Sequence, residues 1–377
     1  MDQSRRAVPT REATRRSDTY RAELLPETNA GELIAFARQI DPTYPAVLDP
    51  QFFIASVASS WIPRLVLVRR GLEPVGLVYA REKALVGVPT GVMYADGTLG
   101  NLLLAHPDDQ EMVLSASLQK LLGLPRFRAF RLLLPPAGHE ERTTRNVAVS
   151  MNLHFSQAQD VLNHSLLDLP TTYEAFLTSL GSRTRRNFRY YRRRFEGAGY
   201  HYVEDLSQTE MCNVAAYLRT RCSIKSSTSS VDRICSWVGA ADRPFACGLR
   251  SSEGNWLSVA TGFYSGTRAT MLLQINDDLH SERSSLSLVL RAYFIDSLIQ
   301  KSFEKLVFWA GVGGPLARYV SFVPGTMVYI DSPSTGWKIA RGLIGLMAPG
   351  LPKRMRRDLE WIGPPNWKSE DGAGSKL

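Results

Sequence analysis

Seven arginines, Arg183, Arg185, Arg186, Arg189, Arg192, Arg193 and Arg194, fall within twelve residues, interleaved with Phe188, Tyr190 and Tyr191. On one helix, positions 182, 185, 186, 189 and 193 share a face. Arg185, Arg186, Arg189 and Arg193 then form a stripe able to hold phosphates or carboxylates in bidentate pairs. Repulsion along the stripe must be offset, and only Glu196 and Asp205 stand near it in the sequence. A solvated charged face is the plain alternative.

A second group lies around 274–285. Asp277 and His280 have the residue types of a general base, against the plain reading of a polar loop. Gln274 and Asn276, near the end of a strand, can position an acceptor or bind a cofactor, or simply satisfy turn N–H groups. Four cysteines (Cys212, Cys222, Cys235, Cys247) are spaced 10, 13 and 12 apart with no CxxC pair, and the six histidines show no ligand spacing. That argues against a metal site and for a reduced, cytoplasmic setting.

The elements that must carry these residues belong to a chain of 377 residues with 44% hydrophobic and 21% charged content, enough for two or three cores. Lys and Arg number 45 against 36 Asp and Glu, a net charge of +9, which favours an anionic partner such as nucleic acid, a phosphorylated substrate or an anionic membrane. The first 28 residues are expected to be a basic disordered tail without an export signal. No run reaches the length of a membrane span.

Hydrophobic period and turn residues predict helices near 29–40 and 52–61, strands over 64–69, 74–80 and 92–98, a helix over 106–122, a strand over 127–134, a helix over 140–151 and closing strands within 154–169. The order repeats from about 171. Helices over 172–180 and 183–195 lead to a strand at 200–206, helices over 208–221 and 231–238, and a three-strand meander from 245 to 275. An apolar helix over 285–300, a strand over 305–309, a helix over 315–322 and a strand over 327–330 follow. The expected units are a tail (1–28), a first domain (29–170), a second domain (171–335) and a basic amphipathic extension (336–377). The extension combines Ile339, Leu343, Ile344, Leu346 and Met347 with Lys353, Arg354, Arg356 and Arg357. It is expected to dock on the second domain, with a peripheral anionic membrane contact as the alternative.

This order resembles the GNAT acetyltransferase fold, a mixed α/β sheet flanked by helices. Its doubling resembles the tandem-GNAT branch that includes Fem peptidyl transferases and CelD- or BioF-type acetyltransferases. The segments that carry the resemblance are Tyr173-Glu174-Ala175-Phe176-Leu177, Ser182-Arg183-Thr184-Arg185-Arg186-Asn187-Phe188-Arg189 and Arg192-Arg193-Arg194-Phe195-Glu196. Ser284-Ser285-Leu286, Phe308-Trp309-Ala310-Gly311 and Arg318-Tyr319 match further on.

The resemblance implies acyl transfer from acyl-CoA, acetyl-CoA foremost, to an amine or hydroxyl on a small-molecule or sugar-linked acceptor of the kind used in cell-envelope and polysaccharide synthesis. It places Tyr319 as the catalytic acid, with Arg318 beside it to hold an anion, and puts the cofactor near Gln274, Asn276, Arg283, Ser284 and Ser285. The glycine-rich phosphate loop of that family has no counterpart here. Asn276-Asp277-Asp278-Leu279-His280-Ser281-Glu282-Arg283 stands in its place, and its acidic residues repel a diphosphate, although the helix-start N–H groups of Ser284 and Ser285 can still hold an anion. Two rival readings follow: Fem-like transfer from aminoacyl-tRNA, which uses the arginine stripe, and a non-catalytic scaffold or nucleic-acid-binding protein.

Overall fold

The computed structural model describes residues 19–26, 30–85, 87–136, 138–222, 228–280, 285–309, 311–347 and 350. The first half runs β1 (Tyr20–Leu25), α1 (Ala30–Ile40), α2 (Pro50–Ser56), β2 (Trp61–Arg70), β3 (Glu73–Leu85), β4 (Val88–Asp96), the short β5 (Leu103–Ala105), α3 (Gln110–Leu122), β6 (Ala129–Leu134), α4 (His139–Ser150) and β7 (His154–Asp168). The second runs α5 (Tyr173–Ser179), α6 (Ser182–Gly197), β8 (His201–Val203), α7 (Gln208–Arg221), α8 (Thr228–Gly239), β9 (Pro244–Arg250), β10 (Trp256–Ser265), β11 (Arg268–Asn276), α9 (Leu286–Gln300), β12 (Lys305–Phe308), β13 (Ser321–Asp331) and α10 (Thr335–Met347).

All thirteen strands lie in one mixed sheet, in the order β1-β2-β3-β4-β6-β13-β7-β12-β11-β10-β9-β8, with β5 beside β3. Antiparallel pairing holds except at β4 with β6 and β11 with β12, which run parallel. The two halves therefore mirror each other outward from the centre. At the centre they exchange strands. β13 pairs with β6 from Thr326 opposite Leu134 to Asp331 opposite Ala129, and β7 pairs with β12 from Lys305 opposite Asp168 to Phe308 opposite Ser165.

Helices cover both faces. Val113, Leu118 and Phe130 centre one core that also takes in Val328 and Ile330 of β13. Phe176, Phe188, Phe195, Phe294 and Leu298 centre another around α9, most of whose residues are buried, as its predominantly apolar sequence requires. A third core joins the halves: Phe52 of α2 meets Phe263 at 4.8 Å and Trp237 at 5.4 Å.

Three sequence expectations are corrected. Residues 20–25 form an edge strand, not tail: Tyr20, Ala22 and Leu24 pack on the first core while Arg21 points out, an alternation too short to stand out beside the flanking arginines. No helix forms over 315–322. A single 3₁₀ turn, Gly314–Arg318, gives way to β13 at Ser321, because Pro324 disfavours helix at the preceding Val323 and supplies no N–H of its own. Lastly, α10 docks on the first half rather than the second. Trp337 packs on Val92 and Ala129, and Arg341 and the buried Arg131 both pair with Asp331, at 2.8 and 3.0 Å. Of the expected extension, residues 348–349 and 351–377, with Lys353, Arg354, Arg356 and Arg357, lie outside the described residues, as does the expected tail up to residue 18.

Two outcomes follow from this pairing. Residues 1–170 expressed alone should show no cooperative thermal transition by circular dichroism, and residues 171–377 added in trans should restore it. Asp331→Ala leaves the Arg131 guanidinium buried without its counter-ion, and should cost about 3 kcal/mol in urea unfolding.

Candidate active site

The arginine segment folds as α6 because its apolar residues recur at helical spacing. Phe188 and Phe195 are buried in the second core. Between them Arg192 points inward, not into solvent. It pairs with Asp296 of α9 at 2.8 Å and with Glu196 at 3.2 Å, and lies over the rings of Tyr293 and Tyr173 at 4.4 and 5.5 Å. Arg192 is thus the bolt that holds α6 to α9 and α5.

The opposite face carries the stripe. Ser182, Arg185, Arg186, Arg189, Tyr190, Arg193 and Arg194 surround an open hollow of about 630 Å³. Arg189 pairs with Glu174 at 2.6 Å, while Arg185, Arg186 and Arg193 have no carboxylate partner among the described residues. The acids that relieve the repulsion are Glu174, Glu196 and Asp296. Asp205, expected from sequence proximity, is not one of them. Two of the three come from other helices, which only the fold brings near.

Tyr319, just after the 3₁₀ turn, reaches the start of this helix. Its phenolic oxygen accepts the Gly181 N–H at 2.8 Å and a hydrogen bond from the Thr184 side chain, and these donors, with Arg318 nearby, lower its pKa below the ordinary 10. The first turn of α6 adds its positive end. A Cβ on Gly181 would stand 2.8 Å from that oxygen, so glycine is what allows the approach. Tyr319 therefore stands at the first turn of the helix that carries the arginine stripe, bonded to Gly181 next to Ser182 at the end of the hollow, with the exposed Arg318 beside it.

The residues around 274–285 form a separate cluster. Asp277 is buried, accepts from Arg221 Nε at 2.7 Å and from the Leu279 N–H at 3.1 Å, and lies 3.3 Å from His280 Nδ1. That geometry is a latch tying the end of α7 to the end of β11. Asn276 accepts from Ser258 Oγ at 2.7 Å. Gln274 donates to Asn276 and to the Ser287 carbonyl, and accepts from Arg291 Nε at 2.9 Å. Ser285 caps α9 with a left-handed backbone, φ 45°. Arg283 and Ser284 lie outside the described residues.

Arg291 escaped the sequence reading because nothing local marks it on an apolar helix. β11 and β12 pair only as far as Met271 opposite Phe308 and then part. Across that gap Arg291 bonds Gln274 on one side and the Gly313 carbonyl on the other, at 3.4 Å, above the Phe308 ring. Burial without a carboxylate lowers its pKa to about 10.

A cleft of about 430 Å³ between the halves is lined by Pro45, Val47 and Leu99 on one side and Arg268, Lys305 and Trp309 on the other. Arg268 and Lys305 stand opposite each other in register, which the sequence could not show without the pairing. A smaller hollow of about 250 Å³ is lined by Leu24, Met93, Arg126 and Phe127, and by the paired Arg64 and Glu82, which meet at 2.6 Å while Glu82 also takes the Gly91 N–H at 2.7 Å. Among the described residues no cluster of His, Cys, Asp or Glu could hold a metal, and no helix is long and apolar enough to cross a membrane.

No protein-family model matches the sequence, and no curated protein matches it. Solved structures do. FemX is 10% identical, aligned over 81% of this chain and 96% of its own, with a TM-score of 0.55. L-PGS from Bacillus licheniformis is 11% identical over 81% and 92%, with a TM-score of 0.52. A tandem GNAT protein from the clavulanic acid biosynthesis pathway is 12% identical over 84% and 100%, with a TM-score of 0.46. At such identities the likeness is one of fold alone: the chain has the mixed α/β architecture expected from its sequence, in two halves that share one sheet, and shares it along most of its length with FemX and L-PGS.

Proposed function

We propose that this protein is an acyltransferase whose second half moves an acyl group, acetyl in the first instance, from acyl-CoA to an amine or hydroxyl on a sugar or cell-envelope precursor in the cytoplasm. The observation that carries the reading is the presence of an acidified phenol, Tyr319, at the first turn of a helix whose cations Arg185, Arg186 and Arg193 have no carboxylate partner among the described residues. Acyl transfer needs both. As the acceptor nitrogen or oxygen bonds to the acyl carbon it gives up a proton, and the departing thiolate must gain one. Tyr319 donates that proton, and the Gly181 N–H and Thr184 hydroxyl hold the phenolate until it is reprotonated. The arginines hold the phosphates of the donor.

A second reading rests on the length of the stripe. From Arg185 to Arg193 the helix rises about 12 Å, long enough for several phosphates of a strand, which suits a donor carried on tRNA. Asp277 is buried and committed to Arg221 Nε and the Leu279 N–H, so the acceptor proton goes to another group or to solvent.

Calorimetric titration with acetyl-CoA tests the main reading. Tyr319→Phe should leave donor affinity within about twofold and lower turnover by roughly 10²–10⁴. Arg185→Glu with Arg186→Glu should abolish donor binding. Absence of acetyl-CoA binding, joined to steeply salt-dependent binding of tRNA, would replace it with the tRNA reading. The pH profile gives an independent check. An acid works only below its pKa, so the alkaline limb of turnover should fall below pH 10. Thr184→Val removes a donor to the phenolate and should move that limb upward toward 10.

A further inference from the structure

The outer face of α10 carries an arrangement that acyl transfer does not use. Its inner face is fixed: Trp337, Ala340 and Ile344 pack on Val92 and Ala129, Arg341 pairs with Asp331, and Trp337 Nε1 donates to Asp331 at 3.3 Å. With the roll of the helix settled, Ile339, Leu343, Leu346 and Met347 point to solvent, 58%, 53%, 80% and 57% exposed. They follow at i, i+4, i+7 and i+8, one continuous stripe. Four of the thirteen large apolar side chains exposed among the described residues thus fall within nine positions, a concentration that isolated surface leucines do not produce.

The charges beyond the stripe say what covers it. Lys353, Arg354, Arg356 and Arg357 put four cations in five positions, beginning six residues after Met347, on a chain already at +9. Apolar side chains on one face of a helix beside a basic run are the two requirements of a segment lying in the headgroup region of an anionic bilayer: the apolar face enters the acyl boundary while the cations meet lipid phosphates.

We propose that α10 is a membrane-docking element. Ile339, Leu343, Leu346 and Met347 insert shallowly into an anionic lipid surface, and Trp337 with the Asp331 ion pairs holds the rest of the protein against it. A second copy of the chain would also cover an apolar stripe, but a basic run beside a self-complementary contact would repel its twin. The proposal stands apart from the catalytic reading, since none of its residues touches the Tyr319 site.

The test is flotation of the full chain with vesicles of phosphatidylglycerol and phosphatidylcholine, compared with phosphatidylcholine alone, at low and raised salt. The expected result is flotation with the anionic vesicles only, weakened by salt. Leu343→Asp with Leu346→Asp should lower the bound fraction at least tenfold while leaving the circular dichroism, the melting temperature and the Tyr319-dependent turnover unchanged. Arg354→Glu with Arg356→Glu should do the same without touching the stripe. Equal flotation of the aspartate variant would overturn the proposal. So would a wild-type dimer in light scattering that the variant converts to monomer, which would assign the stripe to a second copy. Failure of the full chain to float, with recovery on removing residues 351–377, would assign it to the chain's own C-terminal segment.

Discussion

β13 hydrogen-bonds to β6 from Leu134 to Ala129, and β7 to β12 from Ser165 to Asp168, so the last strand of each half completes the sheet of the other. Neither half then has a closed core of its own. Val328 and Ile330 of β13 lie in the first core, Leu167 of β7 in the second, and Phe52 of the first half fills the layer between Trp237 and Phe263 of the second. Buried charge follows the same seam: Asp331, from the end of the exchanged strand, neutralises Arg131 on β6, where burial otherwise lowers the pKa of the guanidinium. A single sheet through thirteen strands is the result of this exchange rather than of two domains laid side by side.

The site is positioned by the same framework. α6 can display unpaired cations because its inward face is committed elsewhere, to Phe188, Phe195 and the Arg192–Asp296 pair. Tyr319 reaches its first turn because β13 must turn back toward the sheet centre at Ser321, which puts the 3₁₀ turn over the start of the helix. A phenol held by a backbone N–H and a hydroxyl at a helix N-terminus is pre-organised to carry negative charge. β12 ends at Phe308 while β11 runs on to Asn276, and beyond that end the Arg291 guanidinium links Gln274 to the Gly313 carbonyl.

Much of this was legible in the residues. The helical period of 183–195 revealed the stripe, the strongly apolar run of 286–300 revealed a buried helix, and the doubled order of elements revealed the doubled fold. What was hidden shares one physical cause: it depends on pairing between distant segments. Edge strand β1 is four apolar residues, Tyr20, Ala22, Leu24 and Leu25, beside arginines, and its partner β2 lies some forty residues on. The facing of Arg268 and Lys305 exists only in the β11–β12 register, and the acids that stabilise α6 sit on α5 and α9 as well as on α6 itself. Asp277 looked reactive in a polar loop because sequence does not show the Arg221 that neutralises it. Local errors are two: the helix expected over 52–61 ends at Ser56 and Trp61 opens β2, and the helix expected over 315–322 is a 3₁₀ turn followed by β13.

The exchange also governs synthesis. When β6 leaves the ribosome, its partner β13 is still about 190 residues away, and at 5–20 residues per second β6 waits roughly 10–40 s with one edge bare. That edge, Ala129-Phe130-Arg131-Leu132-Leu133-Leu134, is wholly buried in the finished protein, so until then it is a hydrophobic strand open to any neighbouring chain. Arg131 sits in its middle. Until Asp331 arrives, Arg131 is without the carboxylate that pairs with it in the finished protein, and a charge in the middle of a bare strand is one of the devices that disfavour edge-to-edge pairing.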